Sequence, residues 1–177
     1  PIAAQVYDIR HTNEAITNDQ KVSSALRTGR QSSMRLAIDS VGSGEAAGVI
    51  SAGNTGALMA MAKYVLNTLP GIDRPAIAGY FQTQRGESVM LDLGANVDCN
   101  EDNLVQFAVM GEVFARNVLG LENPSIGILN VGAENLKGNE AVKTASTMLT
   151  ESTLPIKFHG FIEGDDIGAG VVDVVVT

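Results

Sequence analysis

The chain has 177 residues, with 12 Lys and Arg against 20 Asp and Glu, for a formal net charge of −8. Apolar residues make up 45%, enough to bury a core, so a disordered chain is excluded. The acidic balance lacks the basic face that a nucleic-acid binder needs, and the single Cys99 rules out an internal disulfide framework and a multi-cysteine zinc site. No apolar run reaches the roughly 18 residues of a transmembrane helix, and no signal-peptide pattern is visible. The expectation is a soluble cytoplasmic protein, with 1–177 read as one α/β unit.

Ile2 to Ile9 reads as a strand. From Gln20 to Val41, the residues Val22, Ala25, Leu26, Met34, Ala37, Ile38 and Val41 share one helical face. Gly42 and Gly44 suit the stop of that helix. Gly48–Ser51 reads as a short buried strand running into Ser51-Ala52-Gly53-Asn54-Thr55-Gly56, then an apolar helix to about Leu66. Residues 69–75 form a loop. Ile77–Phe81 and Ser88–Leu93 read as strands joined around Arg85-Gly86-Glu87. A loop over 94–98 precedes a helix from about Glu101, with Leu104, Phe107, Ala108, Gly111 and Phe114 facing the core. Ser125–Val131 is a strand, 132–139 a loop, and a helix follows to about Glu151. Ile156–Phe158 and Val171–Val176 are the last strands.

Alternating strands and helices predict a mostly parallel sheet covered on both faces, with right-handed crossovers. Ligands in such folds bind beyond the carboxyl ends of the strands. Three polar glycine-rich loops, after Ser51, Leu93 and Val131, are expected together at that edge. The chain ends on an apolar strand, Val174-Val175-Val176-Thr177, which reads as the interior of a longer protein.

The Ser51–Gly56 loop combines glycines, uncharged donors and a helix start, the makings of an anion cradle. It is neither a P-loop nor a dinucleotide fingerprint. A plain strand–helix turn with Asn54 or Thr55 as N-cap explains it equally well. Asp92 and Asp98 flank the second loop; their carboxylates can hold a metal, act as a base or fix the loop, and Asp98 or Asn100 can start the next helix. No histidine lies near enough in sequence to complete a metal set. Cys99 reads as a small packed residue. The third loop, Asn130 to Glu140, holds Lys137, a cation suited to a phosphate or a developing oxyanion, with Glu134 placed to hold it. A solvated loop with a surface ion pair is the competing reading. Arg27 to Arg35 gathers three of the 12 basic residues, either an anion-collecting patch or a solvated helix face. His11 and His159 have no visible Ser or Cys partner, which disfavours a triad.

Several of these stretches in order closely resemble the bacterial phosphate acyltransferase family PlsX. They are Ser51 through Met59, Gly71-Ile72-Asp73-Arg74-Pro75-Ala76, Leu91 through Asp98, Leu104 through Gly111, Asn130 through Glu140, and Asp173 through Thr177. Near Gly29 the family usually carries a lysine, and Arg30 stands in its place. The family opens with a strand and an Asp-Ala-Met-Gly-Gly-Asp motif, and continues past the final valines with Asp-Gly-Phe-Thr-Gly-Asn. The resemblance therefore implies an internal portion of a longer chain. It implies a three-layer α/β/α fold similar to isocitrate and isopropylmalate dehydrogenases and to phosphotransacetylases.

The implied activity is transfer of a long-chain acyl group from acyl carrier protein to inorganic phosphate, giving an acyl phosphate for phospholipid synthesis. A homodimer is implied, with peripheral membrane contact through a segment beyond Thr177, and no cofactor or metal. Candidate catalytic residues are Lys137, Asn96 and Asp98. Candidate substrate-binding residues are Ser51, Gly53, Asn54, Thr55, Gly56, Asn130, Glu134, Asn139, Arg27, Ser32 and Ser33. Arg27, Arg30 and Arg35 are the expected docking patch for the acidic carrier. The alternatives are a phosphotransacetylase-like enzyme using acyl-CoA and a non-catalytic binding or dimerisation core.

Overall fold

A computed structural model describes residues 7–132, 134 and 137–177. The chain forms two compact units that meet in sequence at Leu69 and Pro70.

Among the described residues, the first unit has only helices as regular elements: α1 (Val22–Thr28), α2 (Ser33–Gly42) and α3 (Thr55–Leu66). The single helix expected over 20–41 is thus two. Gly29 ends α1, its N–H on the Ala25 carbonyl at 2.8 Å. A Cβ at Gly29 would lie 2.5 Å from Ile16 Cδ1 and 2.7 Å from the Ala25 oxygen, so the chain passes where only glycine fits. Ser32, in extended conformation, then starts α2 by accepting from the Arg35 N–H at 3.3 Å. Ala25, Met34, Ile38, Ala57 and Met61 form the core of this unit.

One strand expectation fails here, and the described end of another is not a strand. Residues 48–50 have no regular structure, and Ile50 is fully exposed. A short apolar run becomes a strand only where a neighbour completes its ladder, and the described residues of this unit offer none. Of the strand expected over 2–9, residues 2–6 lie outside the described residues. Residues 7–9 are not a strand, and Tyr7 and Ile9 are exposed.

The second unit holds the sheet. In chain order its elements are β1 (Gly79–Thr83), β2 (Gly86–Leu91), α4 (Glu101–Val118), β3 (Ser125–Leu129), α5 (Glu140–Glu151), β4 (Lys157–Ile162), α6 (Gly164–Ala169) and β5 (Val174–Val176). The strand order is β1-β2-β5-β3-β4. β1 and β2 form an antiparallel hairpin, while the pairs β2–β5, β5–β3 and β3–β4 are parallel. The mostly parallel sheet is as expected.

β5 shows how the sheet is covered. Val174 and Val176 pack with Leu104 and Phe107 of α4 and Leu149 of α5. Val175 lies with Ile162 and Val172, against which Ile167 of α6 packs. Alternation along the strand sends successive side chains to opposite faces, and both faces are apolar. α4 comes very close to the sheet at Gly111, where a Cβ would lie 2.5 Å from Val174 Cγ1 and 2.8 Å from Leu91 Cδ2. Opposite the ligand edge, Asp173 ties β5 to β3, its Oδ2 accepting from the Ser125 N–H and hydroxyl, both at 2.7 Å.

Candidate functional site

Because β2, β5, β3 and β4 run parallel, their carboxyl ends lie along one edge of the sheet. The loops after β2 and β3 therefore share that edge, with β5 between them. Two strand spacings separate their starting points, about 10 Å. The third expected loop, Ser51–Gly56, belongs to the helical unit and follows no strand.

Each edge loop opens on a buried polar residue. Asp92 follows β2 and is 8% exposed. Its Oδ1 accepts from the N–H groups of Ile77 (2.7 Å) and Ala95 (3.2 Å). Its Oδ2 accepts from the Asn96 N–H (2.7 Å) and the Asn96 Nδ2 (2.9 Å). The carboxylate is thus a hub for the loop. Asn96 donates its second amide proton to the Pro75 carbonyl at 3.0 Å. Its amide protons lie inside the loop, joining the 73–77 segment to the end of β2.

Asn130 follows β3 and is also 8% exposed. Its N–H donates to the Ile162 carbonyl at 2.9 Å, and its Nδ2 to the carbonyls of Gly132 (3.0 Å) and Lys137 (3.1 Å). Lys137 Nζ pairs with Glu134 Oε2 at 2.8 Å, and its backbone N–H donates to the Glu134 carbonyl at 2.9 Å. Both side chains are exposed. Their hydrogen bond lowers the Glu134 pKa and raises that of Lys137, with Glu163 at the end of β4 adding to the second effect. Lys137 is therefore fully protonated near neutral pH. Asn139 serves as N-cap of α5, its Oδ1 accepting from the Val142 N–H at 2.8 Å.

Asp98 is exposed, and its carbonyl accepts from Arg74 Nη1 at 3.3 Å. Burial first, then Asp92 and Asp98, raise the Cys99 pKa. That disfavours a thiolate nucleophile, and Cys99 packs against the main core as a small apolar residue. Sequence reasoning left Arg74 out of the candidate site, and of the readings open for Asp92 the structure shows the one in which its carboxylate fixes the loop. The reciprocal pair of Asp73 and Gln106, each bond 2.8 Å, anchors the Arg74 segment to α4. The signal available was the carboxylate directly after an apolar strand, followed by Gly-Ala-Asn.

In the helical unit, Asn54 is the N-cap of α3, its Oδ1 accepting from the Ala57 N–H at 2.9 Å. Its Nδ2 reaches the carbonyls of Thr17, Asn18 and Gln20 at 3.3, 3.2 and 3.1 Å. Ser51 Oγ accepts from the Gly53 N–H at 3.2 Å. The N–H groups of Thr55 and Gly56 lie in the first turn, where no intrahelical acceptor faces them. Ser32 is fully buried, donating to the Gly29 carbonyl at 2.7 Å, whereas Ser33 is exposed. Arg27 Nε bonds the Ser23 carbonyl at 3.2 Å. Arg35 pairs with Asp39 at 2.8 Å and lies 5.5 Å from the centre of the Tyr64 ring. Arg27 and Arg30 are thus the exposed members of the basic stretch. Among the described residues, no group of three His, Cys, Asp or Glu gathers to hold a metal, and no helix is long and apolar enough to cross a membrane.

In class, this is an α/β fold with polar loops at the carboxyl ends of parallel strands. The profile of a family described as "Fatty acid synthesis protein" matches residues 3–177, and the chain belongs to that family. It is similar to proteins named phosphate acyltransferase. That of Paramagnetospirillum magneticum is 66% identical over 172 residues, covering 97% of this chain and 49% of the relative. That of Rhodospirillum centenum is 64% identical over 177 residues, covering 100% and 50%. That of Rhodospirillum rubrum is 63% identical over 172 residues, covering 97% and 49%. The chain spans about half the length of these relatives. Among solved structures, the EutD phosphotransacetylase from Staphylococcus aureus shares the fold, with a TM-score of 0.57 at 19% identity over 78% of this chain and 48% of that one.

Proposed function

We propose that the protein carrying this chain transfers a long-chain acyl group from acyl carrier protein to inorganic phosphate, producing an acyl phosphate for phospholipid synthesis. The observation that carries this reading is the Lys137 ammonium, held by Glu134 at the carboxyl edge of a parallel sheet. The names of relatives at 63–66% identity supply the reaction class.

In the reaction, a phosphate oxygen attacks the thioester carbonyl carbon. A C–O bond forms, the C–S bond breaks, and the thiolate leaves and takes a proton from solvent. Phosphate is already ionised near neutral pH and thiolate is a fair leaving group, so positioning and charge stabilisation matter more than proton transfer. Lys137 stabilises the carbonyl oxygen as it becomes negative. Exposed Asp98 borders the same edge and orients the donor, while Asn96, its amide protons committed to Pro75 and Asp92, acts indirectly by shaping that loop. In the helical unit, the first turn of α3, with Thr55 and Gly56, and the preceding Ser51 and Gly53 form a separate anion contact held in shape by Asn54. Arg27 and Arg30 are docking cations for an acidic carrier, with Ser33 exposed nearby in sequence. The working protein is a homodimer in the cytoplasm, with peripheral membrane contact made outside this chain.

The test is acyl phosphate formation by the intact protein, trapped as hydroxamate, with acyl carrier protein and acyl-CoA compared as donors. Lys137→Ala should fold normally and lose about 10²–10³ in turnover, as for loss of one oxyanion donor. Lys137→Arg should recover only part, since a planar guanidinium is a poor replacement for a compact ammonium. Near-native turnover of the alanine variant at saturating substrates removes Lys137 from catalysis. Preference for acyl-CoA removes the carrier protein as donor.

A further inference from the structure

We propose that Asn130 is a positioning residue for Lys137: its buried amide ties down the Gly132 and Lys137 carbonyls and thereby holds the ammonium above Gly132 at the carboxyl end of β3. The proposal rests on the catalytic reading of Lys137.

Four features carry it. First, Asn130 is itself fixed, being buried and bonded through its N–H to the Ile162 carbonyl at the end of β4. Second, both of its amide protons go to loop carbonyls, those of Gly132 and Lys137, while its Oδ1 accepts from the Val131 N–H at 2.9 Å. An amide with both protons committed has none left to donate to a substrate, so its contribution to the reaction is indirect.

Third, two glycines clear the space for this packing. Gly138 has φ of +91°, and a Cβ there would collide with Asn130 Oδ1. At Gly132 a Cβ would collide with Lys137 Cδ and lie 2.8 Å from Glu134 Oε2 and 3.0 Å from Lys137 Nζ. The lysine stem therefore lies directly on the glycine backbone. Fourth, Glu134 cannot fix the ammonium alone. The two side chains are 62% and 53% exposed, and an ion pair in water holds a long side chain weakly. The bond from buried Asn130 to the Lys137 carbonyl gives the lysine a fixed base.

The decisive experiment compares Asn130→Asp and Asn130→Ala in the intact protein. The aspartate keeps the shape but turns a carboxylate oxygen toward two carbonyls. The readouts are kcat and KM for phosphate and acyl donor, and the pH dependence of Lys137 amine labelling read by mass spectrometry. The expected result is a kcat loss of about 10²-fold, the scale of a 1 Å misplacement, with KM for the donor unchanged. Labelling of Lys137 should speed up at alkaline pH as its contact with Glu134 loosens. A folded variant with native labelling overturns the proposal. Lys137→Ala separates the two ideas. If that variant keeps its turnover the catalytic reading fails, while altered labelling in the Asn130 variants still supports positioning. If neither Asn130 variant folds, hydrogen exchange of the Asn130 side-chain amide in the native protein decides. Protection supports the fixed base, and exchange at the rate of an exposed asparagine overturns it.

Discussion

Replacing Asp92 by asparagine should destabilise the sheet edge out of proportion to the one-atom change. The carboxylate accepts four hydrogen bonds, two on each oxygen. Asparagine has one acceptor oxygen, so its NH2 must face two donors in either orientation. The less costly orientation places NH2 at the Oδ1 position, where one of the two bonds is the longer one, 3.2 Å from Ala95. That still strands the Ile77 N–H, which enters β1. Hydrogen bonds to a charged group contribute about 1.5–3 kcal/mol each, and water can reach part of this loop, so the net loss is about 2–4 kcal/mol. Urea unfolding followed by far-UV circular dichroism measures it, with an unchanged m-value as the control for comparable unfolding. Asp92→Ala should cost at least as much, since all four donors lose their partner. A loss below about 1 kcal/mol at constant m would mean that water replaces the carboxylate, and the hub argument would be wrong.

Asn54→Ala should destabilise the helical unit by about 2 kcal/mol, at the upper end for an N-cap, because the amide also holds three carbonyls of the 17–20 segment. Asn54→Asp keeps the cap and loses those donors, so native stability of that variant in urea would remove the second role. Glu134→Gln should lower the Lys137 pKa, since the Glu134 bond is the main cause of its rise, and labelling of Lys137 should begin at lower pH. A raised lysine pKa stabilises below the ordinary lysine value and loses that effect as pH climbs through the raised one. The lowered Glu134 pKa stabilises above the ordinary glutamate value and loses that effect as pH falls through the lowered one. Glu134→Gln should therefore remove a small stabilisation across the neutral range, and identical labelling curves for variant and native protein would show that the pair does not form.

The second unit was legible because its signals are local and strong. β3, α5 and α4 fall close to where periodicity and capping residues put them, and the Val174–Val176 run is buried on both faces as a central parallel strand requires. The helical unit was less legible. The apolar positions of 22–41 fit one helical face, yet Gly29 and Ser32 divide it, because a close approach by Ile16 and a buried serine cap are tertiary facts. The same limit applies to Gly48–Ser51, whose sequence has the look of a strand but which finds no strand partner among the described residues of its unit. α6 escaped notice because its apolar content is slight. Its start is marked by Asp166 accepting from the Glu163 N–H at 2.9 Å, a signal carried by two acidic residues rather than by periodicity. At the carboxyl edge of the sheet, the positions of the loops after β2 and β3 were legible. Sequence could not separate residues that face a substrate from those that face inward, since Asn96, Asn130 and Asn139 look alike until their hydrogen bonds are known.

Those hydrogen bonds also separate the two edge loops in charge. Asp92 draws the N–H groups of Ala95 and Asn96 inward. In trans peptides the carbonyl points opposite to its N–H, so the preceding carbonyls are turned away from the hub. A loop with two N–H groups drawn inward and exposed Asp98 at its end is a poor place for an anion. Asn130 does the reverse, drawing the carbonyls of Gly132 and Lys137 inward beneath a loop whose exposed Lys137 carries a positive charge. In the proposed reaction, negative charge on the attacked carbonyl oxygen is therefore favoured on the β3 side of the edge and disfavoured on the β2 side, about 10 Å away. Both loops are set by buried groups before any substrate arrives. Their dipoles need little reorganisation as charge develops, the condition under which fixed charges contribute most to catalysis.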